Sequence, residues 1–437
     1  MRVELAYGNA VQAVDIPDEN YLGSLSARHL PAATDVAAVV RDALQNPIGS
    51  APFASVIRPG RSVTIVIGDT TRGWARPDLY LLPLINELNR LGVPDSSITV
   101  ISGTGTHRQQ TTEERQALAG AEVLQRVRFV DHDSRDAAAM VYVGTTSRGT
   151  PVKVNRVVAG AEQLILSGGV VQHFLAGYGG GRKAIIPGVA AYDTIQTNHK
   201  LSLGPNRGEG VLPTVDSLIT DGNVVAEDMT EAAALLKPCF GLNVIVNEDL
   251  QIAKITAGHW DASYRAAYAI VREAICREIP ELADLVIVSN GGYPKDINMW
   301  QSSKTIDNAA RAVRPGGVML WLTCCSEGLG AEEFVTALKE GGDKPETEDL
   351  MRRNFTIGAL VSYVIQNHAG KSRVLIVSEL EERYCRQLGL EKVPSLAEGL
   401  RVAYAQLGPA PKTYLMAHGG ATVPVLKRQP AQVTAVG

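Results

Sequence analysis

The sequence predicts an α/β fold of two domains, a large discontinuous α/β domain and a smaller inserted α/β domain, with the site in the cleft between them. Three observations predict it. Short β-branched runs alternate with helical patterns, the rhythm of parallel α/β units. At 437 residues the chain exceeds what one core, which stops growing at roughly 250 to 300 residues, can organise. Each apolar run also ends in a loop carrying Gly, Asp, Ser or His, where ligands collect in open α/β sheets.

In order, the strand candidates are residues 63–67, 98–102, 127–130, 164–166, 285–289, 318–322 and 374–377. Residues 281 to about 345 read as a compact unit: a buried strand, the loop Asn290-Gly291-Gly292-Tyr293-Pro294, a helix, Arg314-Pro315-Gly316-Gly317 and another strand. Glu340-Gly341-Gly342-Asp343-Lys344-Pro345 reads as its exit linker. The run at 374 resembles the earlier units, so the chain is expected to return to its first domain there. This places a small domain at 279–349 and a large one at 1–278 plus 350–437.

Bulk properties exclude several classes. The chain is 45% apolar, enough for two cores, and carries a net charge of −4 with no basic run, which argues against nucleic acid and fits a small-molecule protein. Met1-Arg2-Val3-Glu4-Leu5-Ala6-Tyr7 has no cationic stretch leading into an apolar core, and no segment stays apolar for the roughly 20 residues of a membrane span. The expected setting is cytoplasmic, with no membrane partner. Five cysteines form no C-x-x-C pair, so they read as reduced and buried, Cys324-Cys325 included.

Chemistry concentrates in the loops. Gly68-Asp69-Thr70-Thr71-Arg72-Gly73 follows an apolar run and precedes a helix that Pro77 opens; amides, two hydroxyls and a guanidinium there suit a phosphate or carboxylate. His107 follows the next run, ahead of a helix that Thr111 and Glu114 cap. Alone it reads as readily as a solvated loop residue. Gly168-Gly169-Val170-Val171-Gln172-His173 and Gly179-Gly180-Gly181-Arg182-Lys183 combine rarer choices, since missing side chains let a ligand approach the backbone. The spacing is not that of a Walker A loop. Residues 190–200 suit a helix with Ile195 and His199 on one face, and Gln301 and Lys304 share a helix face further on. His132, between Asp131 and Asp133, reads as a residue of an exposed turn. His29, His259, His368 and His418 show no partner pattern, and Trp260 and Trp321 read as packing residues.

Together these blocks resemble the lactate racemase family over most of the chain, enzymes that carry a nickel-pincer nucleotide. The resemblance implies that Asp69, Thr70, Thr71 and Arg72 form the cofactor and substrate anion loop. It implies that His107 and His173 are paired acid/base residues, that Lys183 is joined covalently to the cofactor, and that His199 is the nickel ligand. It further implies that Gln301 and Lys304 contact substrate beside Trp300. The implied activity is inversion of C2 of a 2-hydroxy acid by reversible hydride transfer through a 2-keto acid, with cofactor-synthesis proteins as loading partners. Nickel(II) accepts the square-planar site that two sulfurs, a ring carbon and one histidine would make. Trp300 stands where a tyrosine is expected in the family's lactate enzyme, and Phe355 is the nearest aromatic where a tryptophan is expected. A substrate other than, or broader than, lactate follows from those two changes. Two other classes use the same residues: a zinc-dependent hydrolase built on His107, His173 and His199, and a non-catalytic nucleotide or sugar-acid binding protein.

Overall fold

The segment Val63–Gly68, VTIVIG, is buried except at its final glycine, as a central parallel strand covered on both faces requires. In the computed structural model, which describes residues 1–427, it lies inside a six-stranded sheet. The order is Ile252–Gly258, Phe240–Val246, Gln163–Gly169, Val63–Gly68, Ile98–Gly103, Arg128–Asp131, parallel except for the antiparallel pair at the Ile252–Gly258 edge. The chain steps outward from Val63–Gly68 to Arg128–Asp131, then comes back to lay Gln163–Gly169 on its other side. That reversal makes the carboxyl ends of Val63–Gly68 and Gln163–Gly169 a topological switch point, where ligands bind in open α/β sheets. Helices Val36–Gln45 and Pro77–Arg90 share the core of this unit through Val40, Leu44, Leu81, Leu84 and Leu88 against Ile65, Val100 and Leu242.

The second sheet, all parallel, has the order Glu391–Lys392, Arg373–Val377, Val313–Leu322, Ala283–Ser289, Thr413–Met416, Tyr21–Ser24. The chain therefore divides into His29–Ala274 and a unit made of Met1–Arg28 with the chain from Ile275 onward.

An α/β fold in two units agrees with the sequence expectation; the boundaries do not. Arg373–Val377 does not return to the first sheet, because it pairs in register with Val318 to Leu322. The discontinuous piece is instead the amino-terminal segment, whose Tyr21–Ser24 strand pairs with Thr413–Met416. Residues 428–437, which the sequence reading gave to the large domain, lie outside the described residues. Glu340 to Pro345 is not an exit linker either: Asp343 caps Lys344–Arg353 in a capping box with Glu346, immediately after helix Glu332–Gly341. Sequence periodicity located the central strands but missed Phe240–Val246, Ile252–Gly258, Thr413–Met416 and Tyr21–Ser24. Among the described residues no helix is long and apolar enough to cross a membrane.

Candidate active site

The carboxyl-end loops of the sheet in the His29–Ala274 unit carry the unusual residues. After Gly68 the chain turns through a 3-10 segment, Thr70–Ala75, whose Thr70 amide donates to Gln110 Oε1 at 2.7 Å. Asp69 is buried. Its Oδ1 accepts from the Thr71 hydroxyl at 2.6 Å and its Oδ2 lies 2.6 Å from His107 Nδ1. Burial pushes the Asp69 carboxyl up, but the bonds from His107 and Thr71 and the Arg72 charge outweigh it and hold the group below its ordinary range. An ionised acceptor there makes His107 Nδ1 the donor and leaves Nε2 as the lone-pair nitrogen. Asp69 is thereby held against both His107 and Thr71 within the loop. Arg72 is exposed, and its Nη1 donates to Thr71 Oγ1 at 2.8 Å.

Gln172–His173 pairs antiparallel with Gly177–Tyr178, a short hairpin at the end of Gln163–Gly169. Leu175 N–H donates to His173 Nδ1 at 3.1 Å, and His173 Nε2 lies 3.3 Å from Lys183 Nζ. The glycine loop before Lys183 is closely packed. Gly181 has φ +52°, and a Cβ there would fall 2.5 Å from the Tyr264 ring. Arg182, 2% exposed, stacks on that ring at 4.9 Å and donates to the Ala176 carbonyl at 2.8 Å. Burial first, then the charges of Arg72 and Arg182, lower the Lys183 amine to about 7. At neutral pH this amine is substantially unprotonated and nucleophilic.

His199 sits near the end of helix Tyr192–Lys200, buried beside Ile195 as the helical spacing predicts. Burial and then the Lys183 charge push it down to about 3, so it stays a neutral imidazole, the form that binds metals. His132 departs from expectation: far from an exposed turn, it is 0% exposed. Its Nε2 bonds the Ala190 carbonyl at 2.9 Å, just before the His199 helix, while its own carbonyl accepts from Thr104 Oγ1 at 2.6 Å and Gln109 Nε2 at 3.0 Å, in the His107 loop. Sequence reasoning missed this bracing residue, and also Trp74, whose ring occupies the space a side chain at Gly169 would need.

The unit thus brings together Asp69, Thr71, Arg72 and His107 in one hydrogen-bonded group, with Thr70 bonded alongside to Gln110, His173 with Lys183 in another, and His199 within electrostatic reach of Lys183. Trp300, Gln301 and Lys304 lie on helix Met299–Ala309 of the other unit, Trp300 with its ring 6.1 Å from that of Phe334. A three-histidine zinc centre is not formed: among the described residues no group of three or more His, Cys, Asp or Glu could hold a metal. All five cysteines are free thiols; Cys324, Cys325 and Cys385 are buried, Cys239 and Cys276 partly so.

Comparison with known proteins matches this architecture. The family profile of the lactate racemase N-terminal domain covers residues 7–210, and that of the lactate racemase C-terminal domain covers residues 279–424. The chain is 29% identical to the lactate racemase of Thermoanaerobacterium thermosaccharolyticum over 415 residues, 92% of this chain and 94% of that protein. It is also 29% identical to the lactate racemase of Lactiplantibacillus plantarum over 431 residues, 95% of this chain and 98% of that one. The solved structure of the T. thermosaccharolyticum apoprotein superposes with a TM-score of 0.86 at 27% identity, over 98% of this chain and 100% of that one. A Thermotoga maritima structure, 18% identical with a TM-score of 0.62, shares the fold. The chain belongs to the lactate racemase family and is an isomerase, a racemase.

Proposed function

We propose that this racemase inverts C2 of a 2-hydroxy acid by reversible hydride transfer to a nickel-pincer nucleotide, through a 2-keto acid. The observation that carries the reading is the 3.3 Å approach of Lys183 Nζ to His173 Nε2, with His199 held neutral nearby. The residues fit such a group. Lys183 offers an unprotonated amine for covalent attachment. His199 offers one neutral imidazole, enough for a nickel ion that brings its other donors with the nucleotide. A Cβ at Gly168, at the end of its strand, would meet nothing within 4 Å, so there is room beside the backbone. When bound, the group supplies reversible hydride acceptance at the substrate carbon.

The chain's own residues do the rest. Arg72 offers an exposed guanidinium to the substrate carboxylate. His107, oriented through Nδ1 by Asp69, presents Nε2 to a substrate hydroxyl and takes its proton. His173 supplies the second acid/base group, because the hydroxyl points a different way in each stereoisomer and one base cannot reach both. Gln301, Lys304 and Trp300 are the substrate residues the family resemblance assigns. With Trp300 and Phe355 in place of the expected tyrosine and tryptophan, the substrate is a 2-hydroxy acid other than lactate or a range broader than lactate.

Intact mass tests the reading. Protein produced alongside the cofactor-synthesis proteins is expected to be heavier than the bare chain, with the added mass on the peptide holding Lys183 and about one nickel per chain. Unmodified Lys183 in such protein that nonetheless racemises lactate would overturn it.

A further inference from the structure

Behind His199 runs a chain of buried polar side chains that the reaction itself does not use. Asn198 and Asp228 are both 0% exposed. Asn198 Nδ2 donates to Asp228 Oδ2 at 2.8 Å and to the Val225 carbonyl at 3.3 Å, while Asn198 Oδ1 lies 3.0 Å from His199 Nδ1. Asp228 also accepts from the hydroxyls of Thr146 and Thr150, the latter at 2.8 Å.

The direction of this chain follows from what each group can do. A backbone carbonyl only accepts, and so does a carboxylate, so the nitrogen of the Asn198 amide faces Val225 and Asp228. Its oxygen is then turned toward the imidazole. An amide oxygen cannot donate, so the proton of neutral His199 resides on Nδ1 and Nε2 is the lone-pair nitrogen. Outer partners that fix a ligand's tautomer in this way tune metal sites generally.

We propose that Asn198, anchored by Asp228 and the Val225 carbonyl, is a positioning residue that locks His199 as its Nδ1–H tautomer and so assigns Nε2 to the metal. The metal half rests on the reading of His199 as nickel ligand; the tautomer half does not.

The two halves are tested separately. Long-range proton–nitrogen correlation spectra of the metal-free chain, labelled at imidazole nitrogens, are expected to show His199 protonated on Nδ1 at neutral pH, its signal identified by loss in His199→Gln. In Asn198→Leu, which removes the acceptor at similar volume, the expectation is a majority shift to Nε2–H. A wild-type His199 protonated on Nε2, or an Asn198→Leu spectrum still dominated by Nδ1–H, would overturn the proposal; if that variant does not fold, the wild-type spectrum alone decides. In protein loaded by the synthesis pathway, Asn198→Leu should bind nickel about 10- to 100-fold more weakly. Undiminished nickel affinity would overturn the metal half. Wild-type protein that shows Nδ1–H but binds no nickel sinks the nickel reading and leaves the tautomer lock standing.

Discussion

Asp69 Oδ2 stands 2.6 Å from His107 Nδ1, across the ends of two adjacent parallel strands. A buried ionised carboxylate in that place orients the ring and, in its neutral form, keeps the proton off Nε2, the nitrogen that the proposed reaction uses. Asp69→Asn can turn an amide N–H toward Nδ1 and so move the ring proton to Nε2. The expected outcome is a fall in kcat of about 10²-fold or more with little change in KM, in both directions of turnover. An unchanged kcat would remove Asp69 from this role.

His107→Ala and His173→Ala should each lower turnover by roughly 10² to 10⁴ in both directions, because in the proposed reaction one residue accepts the hydroxyl proton and the other returns one. Initial rates from each pure enantiomer are the measurement. A variant that loses only one direction would break the requirement that forward and reverse share one pathway.

Gly181→Ala puts a methyl group 2.5 Å from the Tyr264 ring at a φ of +52°. The left-handed backbone alone costs roughly 1–2 kcal/mol for a residue with a Cβ, and the ring contact forces the Arg182–Lys183 segment to shift. A lower Tm and loss of mass gain at Lys183 are expected together. Full loading of this variant would show that the loop tolerates movement.

His132 gives a pH signature. Burial lowers its pKa below the ordinary 6.5, and the Ala190 carbonyl and Asp133 offset this only in part. Below about 6.5 the unfolded chain binds a proton that the folded chain refuses, so this residue's contribution to stability is lost as pH falls from that value toward the folded pKa. His132→Gln keeps a donor for Ala190 and does not titrate. Its Tm should fall less than that of the wild type between pH of about 7 and about 5. Parallel curves would mean that His132 takes up its proton freely in the fold.

The sequence made some of this legible and hid the rest for identifiable reasons. Val63–Gly68 announces itself because a strand covered on both faces is a run of β-branched residues, and His199 falls on a buried helix face because its spacing from Ile195 is helical. His132 misled because flanking Asp131 and Asp133 imitate a solvated turn, whereas the ring points inward. Asp69 with His107 and Asn198 with Asp228 are pairs made by the fold across 38 and 30 residues of chain, and no local pattern marks them. Tyr21–Ser24 and Thr413–Met416 are too short for alternation to reveal, and the domain boundary was misplaced for that reason.

Because Tyr21 pairs with Thr413, segments that precede and follow residues 29–274 in sequence lie side by side in one sheet. On the ribosome all six strands of the 29–274 unit are made before Thr413–Met416, the partner for which Tyr21–Ser24 waits. Order of synthesis therefore lets the loops bearing Lys183 and His199 form before the second sheet can close. A nascent chain stalled shortly after Ala274 would already contain every residue proposed to hold the nucleotide.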